Sequence, residues 1–148
     1  MALDILSPAI EKYIKENSTA EDTVLQELTR ETHLKIQMPQ MLSGHLQGLF
    51  LEFVSRMVQP RRILEIGTFT GYSAICLAKG LTDDGLLYTI DINDELEPIN
   101  TKYFEKAGNM TEQVAGLAVL IYFIHHTATS IRIETLLASL AEETSATI

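Results

Sequence analysis

Residues 62–73, Arg-Ile-Leu-Glu-Ile-Gly-Thr-Phe-Thr-Gly-Tyr-Ser, constrain the fold of this chain more than any other stretch. An apolar run following Pro60 suits a strand buried in a parallel sheet. Gly67 and Gly71 bracket a tight turn, and a helix is expected from Tyr72. Strand, glycine turn and helix N-terminus in that order form a nucleotide-type corner. Glycine lets a ligand approach the backbone, and the N–H groups of the first helical turn have no partner inside the helix. Asp91, 20 residues past Gly71, ends a second apolar run, Leu86 to Ile90. A carboxylate ending the next strand is placed to accept hydrogen bonds from ribose hydroxyls.

Elimination narrows the ligand. Phe69 occupies the second glycine position of a G-x-G-x-x-G turn and would crowd a pyrophosphate, which disfavours a nicotinamide oxidoreductase. No lysine follows Gly71, so a P-loop is excluded. What remains is a strand-end acid, Glu65, with little to cradle phosphate. Such a site suits an adenosine carrying a cationic group, as in S-adenosylmethionine.

The stretch Ile63 to Ser73 resembles the first motif of the small-molecule O-methyltransferases of the caffeoyl-CoA and catechol type. The likeness extends upstream through Leu25, Leu28, Glu31-Thr32, Met41-Leu42-Ser43 and Gln47-Gly48-x-Phe50-Leu51. Downstream it takes in Gly85, Asp91 and Tyr103-Phe104-x-x-Ala107-Gly108, so that about the first 108 residues are covered. It implies an α/β, Rossmann-like class I methyltransferase fold with N-terminal helices before a parallel sheet. It also implies S-adenosylmethionine as cofactor and a small hydroxylated acceptor. The open edge of the central strand is expected either to pair with a second copy, as a dimer, or to be covered by the tail from Val114 onwards. The residues expected at the cofactor are Met41, Ser43, Glu65, Gly67, Thr68, Phe69, Ser73 and Asp91. In the family a magnesium or calcium ion is held by an Asp-Ala-Asp type motif and a later Asp-Asn pair. Neither motif occurs here, the pattern cannot be followed beyond Gly108, and the sheet is expected to be incomplete. No catalytic base is assigned. The alternative is a truncated or divergent, non-catalytic cofactor-binding or interaction module.

Composition sets bounds on partners. With 148 residues the chain is read as one domain: helices over 1–58, a cofactor-binding core over 61–108 and a divergent tail over 109–148. A net charge of −9 argues against nucleic acid and anionic membranes as partners. The single cysteine, Cys76, cannot pair internally, which fits a reducing cytoplasm, and it reads as buried filler. No basic segment followed by an apolar run opens the chain, so no signal peptide is expected.

Local signals give the remaining elements. Ser7-Pro8 reads as the cap and first turn of a helix running towards Lys15. Ser18-Thr19-Ala20-Glu21 has the form of a capping box. Leu46, Leu49, Phe50, Phe53, Val54 and Met57 recur at helical spacing and are expected to pack into the core. A helix from Tyr72 to Lys79 should stop at Gly80. Another, capped by Asn93 or Asp94, should bury Leu96, Ile99, Tyr103 and Ala107 and end at Gly108. Val114 to Ile124 is too short to span a membrane as a helix and reads as a third strand or a buried helix. Residues 133–142 form an amphipathic helical pattern. His125 and His126 are adjacent and diverge in either a strand or a helix, which makes them poor joint zinc ligands. His33 and His45 lack a spaced partner.

Overall fold

The computed structural model describes residues 7–110 and 118–123. The expected features at His125, His126 and 133–142 lie outside them. Three helices lead the chain: α1 (Pro8–Asn17), α2 (Thr23–Lys35) and α3 (His45–Val58). Then come β1 (Arg62–Ile66), α4 (Tyr72–Ala78), β2 (Leu86–Asp91), α5 (Glu97–Met110) and β3 (Ala118–Phe123). The third strand therefore falls inside the expected 114–124 run, whereas α5 continues two residues past Gly108.

The sheet is parallel, with strand order β1-β2-β3. Register pairs Ile63 with Leu87 and Glu65 with Thr89, so these four side chains share one face. Leu87 and Thr89 are fully buried there. On the opposite face Leu64 and Ile66 are exposed, Ile66 by 82%. The expectation of a fully buried first strand is thus corrected. Among the described residues β1 has a neighbour on one edge only, and one of its faces is uncovered.

The core gathers between helices on the covered face. Val24, Leu25 and Leu28 of α2 meet Tyr72, Ala74, Ile75, Cys76 and Ala78 of α4 and Ile99, Tyr103 and Phe104 of α5. Leu96, just before α5, joins them, with Ala107 packed at the margin.

Two local readings are also corrected. The N-cap of α2 is Asp22, whose Oδ1 accepts from the Val24 N–H at 2.9 Å. The capping box fails because its acid is engaged elsewhere: Glu21 Oε1 accepts the Tyr72 hydroxyl at 2.6 Å. The apolar stripe of α3 is not core. Leu46, Phe50, Phe53 and Met57 are exposed, while Gly48 and Ser55 are buried against α4. Close approach is the cause. A Cβ on Gly48 would lie 2.6 Å from the Tyr72 ring and 2.8 Å from Cys76 Sγ. Ser55 Oγ donates to the Leu77 carbonyl at 2.5 Å. The bulk at this contact comes from α4, so α3 presents its small residues inward.

Candidate functional site

The C-terminal ends of β1 and β2 meet at a polar corner. Gly67 continues the sheet, its N–H donating to the Ile90 carbonyl at 2.8 Å. The chain then turns through two positive-φ glycines, Gly67 at +94° and Gly71 at +87°, with Phe69 between them at +47°. Only glycine adopts such angles without strain. At Gly71 space forbids a side chain as well, because a Cβ would sit 2.7 Å from the Phe104 ring. At Gly67 a Cβ would meet nothing within 4 Å. One glycine is packed into the core and the other opens onto a space.

Two carboxylates serve this corner, each held differently. Glu65 Oε1 accepts the Ser73 hydroxyl at 2.6 Å, and Oε2 accepts the Thr89 hydroxyl at 2.7 Å. Thr89 in turn shares a 2.6 Å hydrogen bond with Thr68, both side chains being buried. Burial raises the Glu65 pKa above the usual carboxylate range and the Asp91 charge adds to it, against the two hydroxyl donors that lower it. A cation brought to Glu65 would relieve that penalty. Asp91 Oδ2 accepts from the Phe69 N–H at 2.7 Å and Oδ1 from the Asn93 N–H at 2.9 Å. Each carboxylate oxygen has two acceptor positions, so both keep one for a ligand.

Six of the eight expected site residues, Glu65, Gly67, Thr68, Phe69, Ser73 and Asp91, are therefore brought together. The other two stand apart. Met41 closes a 3-10 turn, Pro39–Met41, and is exposed; Ser43 is half-buried. Among the described residues no hydrogen bond ties either to the corner. Three contributors were not anticipated: Thr89, Asn100, which donates to the Phe69 carbonyl at 3.0 Å, and Thr32, which reaches Thr70 at 3.1 Å. Thr89 had a signal, as the one aliphatic hydroxyl before Asp91 in a run that is otherwise aliphatic or aromatic. Asn100 had one too, as an amide next to the inward stripe of Leu96, Ile99 and Tyr103.

Other titratable groups nearby are unsuited to proton transfer at neutral pH. Burial and the Glu21 contact raise the pKa of Tyr72 beyond its ordinary value. Burial pushes the Cys76 thiol up to about 12. Among the described residues no group of three or more His, Cys, Asp or Glu is placed to hold a metal ion.

A family model described as O-methyltransferase matches residues 15–129. The chain belongs to the O-methyltransferase family. Caffeoyl-CoA O-methyltransferase 1 of Nicotiana tabacum is 36% identical over 104 residues, covering 69% of this chain and 43% of that protein. The Petroselinum crispum caffeoyl-CoA O-methyltransferase gives the same figures, 36% over 104 residues, 69% and 43%. The chain thus spans less than half the length of these relatives. Among solved structures, the O-methyltransferase TomG of Streptomyces achromogenes, in complex with SAM, superposes with a TM-score of 0.66 at 29% identity, over 82% of this chain and 52% of that one. A Bacillus cereus O-methyltransferase in complex with SAH gives 0.64 at 27%, over 76% and 49%. The described elements are part of the Rossmann-like methyltransferase fold, and in this family member the glycine corner, the two acids and the parallel sheet occupy one end of it.

Proposed function

We propose that this chain is the S-adenosylmethionine-binding part of an O-methyltransferase acting on a small hydroxylated acceptor, catechol-like or an acyl-CoA phenol. The observation that carries this reading is the open space at Gly67 beside two strand-end carboxylates. The residues fit the cofactor. Asp91 accepts the ribose hydroxyls with its remaining acceptor positions, and Glu65 faces the cationic amino acid portion, oriented by Ser73 and Thr89. Gly67, Thr68 and Phe69 form the floor; Met41 and Ser43, which stand apart from the corner, would contact the cofactor itself from the turn before α3. When bound, S-adenosylmethionine supplies a methyl group on a positively charged sulfur. This chain's part is to bind and orient it.

We read the chain as a single cofactor-binding domain, with N-terminal helices over 1–58, the cofactor-binding core over 61–108 and a divergent tail over 109–148. We place the chain in a reducing cytoplasm, because its one thiol is unpaired and buried. No described helix is long and apolar enough to cross a membrane. The exposed stripe of α3 favours pairing with a second copy.

Calorimetric titration with S-adenosylmethionine and S-adenosylhomocysteine, with and without magnesium, tests the reading. Asp91→Ala removes charge-assisted hydrogen bonds worth about 1.5–3 kcal/mol and should weaken binding about tenfold to a hundredfold. Unchanged affinity in the folded variant would sink the assignment.

A further inference from the structure

Phe69 is a bulky residue in the left-handed region, at φ +47°. Residues of that kind rarely stay there unless their surroundings hold them. Both of its backbone polar groups are held by side chains, from two different elements. Its N–H donates to Asp91 Oδ2 at the end of β2, at 2.7 Å. Its carbonyl accepts from Asn100 Nδ2 in α5, at 3.0 Å.

Asn100 is an unusual choice for that place. It is completely buried within a helix, and its Oδ1 has no hydrogen-bond partner. A buried, half-satisfied amide costs stability, and asparagine is a weak helix former. An apolar side chain of the same size would suit the core better. The amide is also wedged against the turn, since a Cβ on Gly71 would lie 3.2 Å from Asn100 Oδ1. The missing side chain of Gly71 is what lets Asn100 reach Phe69.

We propose that Asn100 is a positioning residue for cofactor binding, acting through Phe69 on Asp91. Its amide fixes the Phe69 carbonyl and so keeps the residue left-handed. The Phe69 N–H then points at Asp91 Oδ2 and sets the carboxylate's rotation, which leaves the outer acceptor positions turned towards the ribose. The inference rests on the reading of Asp91 as the ribose ligand.

A double-mutant cycle tests it, with S-adenosylhomocysteine as the probe in calorimetry on the full chain. Asn100→Leu keeps the branched outline at a larger volume, removes the donor and removes the orphaned oxygen; circular dichroism and thermal melting check its fold. Asn100→Leu should weaken binding about tenfold in the otherwise unmutated chain, and by less than about twofold when Asp91 is already alanine, because a residue acting through Asp91 has nothing left to position. Equal losses in both backgrounds, or no loss in the first, overturn the proposal. Asn100→Ala replaces Asn100→Leu in the cycle if the leucine variant does not fold. Amide hydrogen exchange on the unmutated chain provides a check that needs no variant: the Phe69 amide should exchange slowly without ligand, and fast exchange overturns the proposal. Failure of Asp91→Ala to weaken binding brings down the site reading and the proposal together. An Asp91-dependent site indifferent to Asn100 overturns the positioning role alone.

Discussion

Thr89→Val isolates one of the two hydroxyls that hold the half-buried carboxylate Glu65. Valine keeps the shape and the strand preference of threonine, so the substitution removes hydrogen bonds and little else. Two bonds go: the one to Glu65 Oε2 at 2.7 Å and the one shared with Thr68 at 2.6 Å. A bond to a charged group contributes about 1.5–3 kcal/mol and a neutral one about 0.5–1.5 kcal/mol. Thr89 and Thr68 are buried, so water does not replace the bond between them, whereas the half-buried Glu65 keeps some access to solvent. The expected loss at pH 7.5 is therefore about 2–4 kcal/mol, a large share of the roughly 5–15 kcal/mol that stabilises a typical domain. Urea unfolding followed by circular dichroism measures it. The control is Glu65→Gln: with the charge gone, Thr89→Val should cost only about 1–2 kcal/mol, the size of two neutral bonds. Equal costs in both backgrounds would refute the argument that Thr89 serves the Glu65 charge.

Further outcomes follow from the same geometry. Burial raises the Glu65 pKa, so this group contributes stability below its unfolded value of 4.5 and loses it as pH rises through the folded value. Affinity for the cationic S-adenosylmethionine should run the other way, rising with pH over that range and flattening in Glu65→Gln; a pH-independent affinity in the unmutated chain contradicts it. Glu31 behaves oppositely, its pKa lowered to about 2 by hydrogen bonds from Lys102, Lys35 and Tyr103, so its contribution is present above about 4.5 and is lost as pH falls towards 2. Tyr103→Phe, which deletes the 2.7 Å bond to Glu31, should shrink that acid-side loss in pH-dependent melts. Gly67→Val should abolish cofactor binding in calorimetry and, because φ is +94°, also lower the melting temperature. Circular dichroism should keep much of the secondary structure, since a Cβ there meets nothing within 4 Å. Gly48→Ala should lower the melting temperature too, because its Cβ would lie 2.6 Å from the Tyr72 ring, but leave binding by the folded fraction unchanged.

What could be read in advance follows the range of the interactions involved. The two strands, the glycine turn and the placement of Asp91 depend on apolar runs and glycine spacing within about thirty residues, and they were legible. Six of the eight site residues came together for that reason. The face that α3 buries depends on the bulk that α4 sets against it, Tyr72 and Cys76, which the periodicity of α3 alone does not carry. The capping box was misread because Tyr72, 51 residues away, takes its glutamate. Thr89 and Asn100 act across a strand pair and across a helix–turn contact. Each left a trace as a polar residue in an apolar pattern, but the pattern alone named no partner for it.

The apolar stripe of α3 and the glycine corner are built from different residues. Every hydrogen bond that sets the two carboxylates of the glycine corner is made by residues between Glu65 and Asn100, from β1, the turn, α4, β2 and α5. Exposed apolar side chains line α3 and the outer face of β1, and two exposed isoleucines, Ile66 and Ile92, directly flank Gly67 and Asp91. A parallel sheet is normally covered on both faces, and an unpaired strand edge invites another strand. Association of copies through α3 should therefore be separable from cofactor binding. Phe50→Ser with Phe53→Ser removes two rings of α3, 64% and 60% exposed. In sedimentation velocity the unmutated chain should run larger than a monomer and the double variant should move towards one, while S-adenosylhomocysteine affinity stays within about twofold. A monomeric unmutated chain would show that the stripe is not a contact between copies. Loss of binding on dissociation would show that the corner is completed by a second copy, against the local account given by its hydrogen bonds.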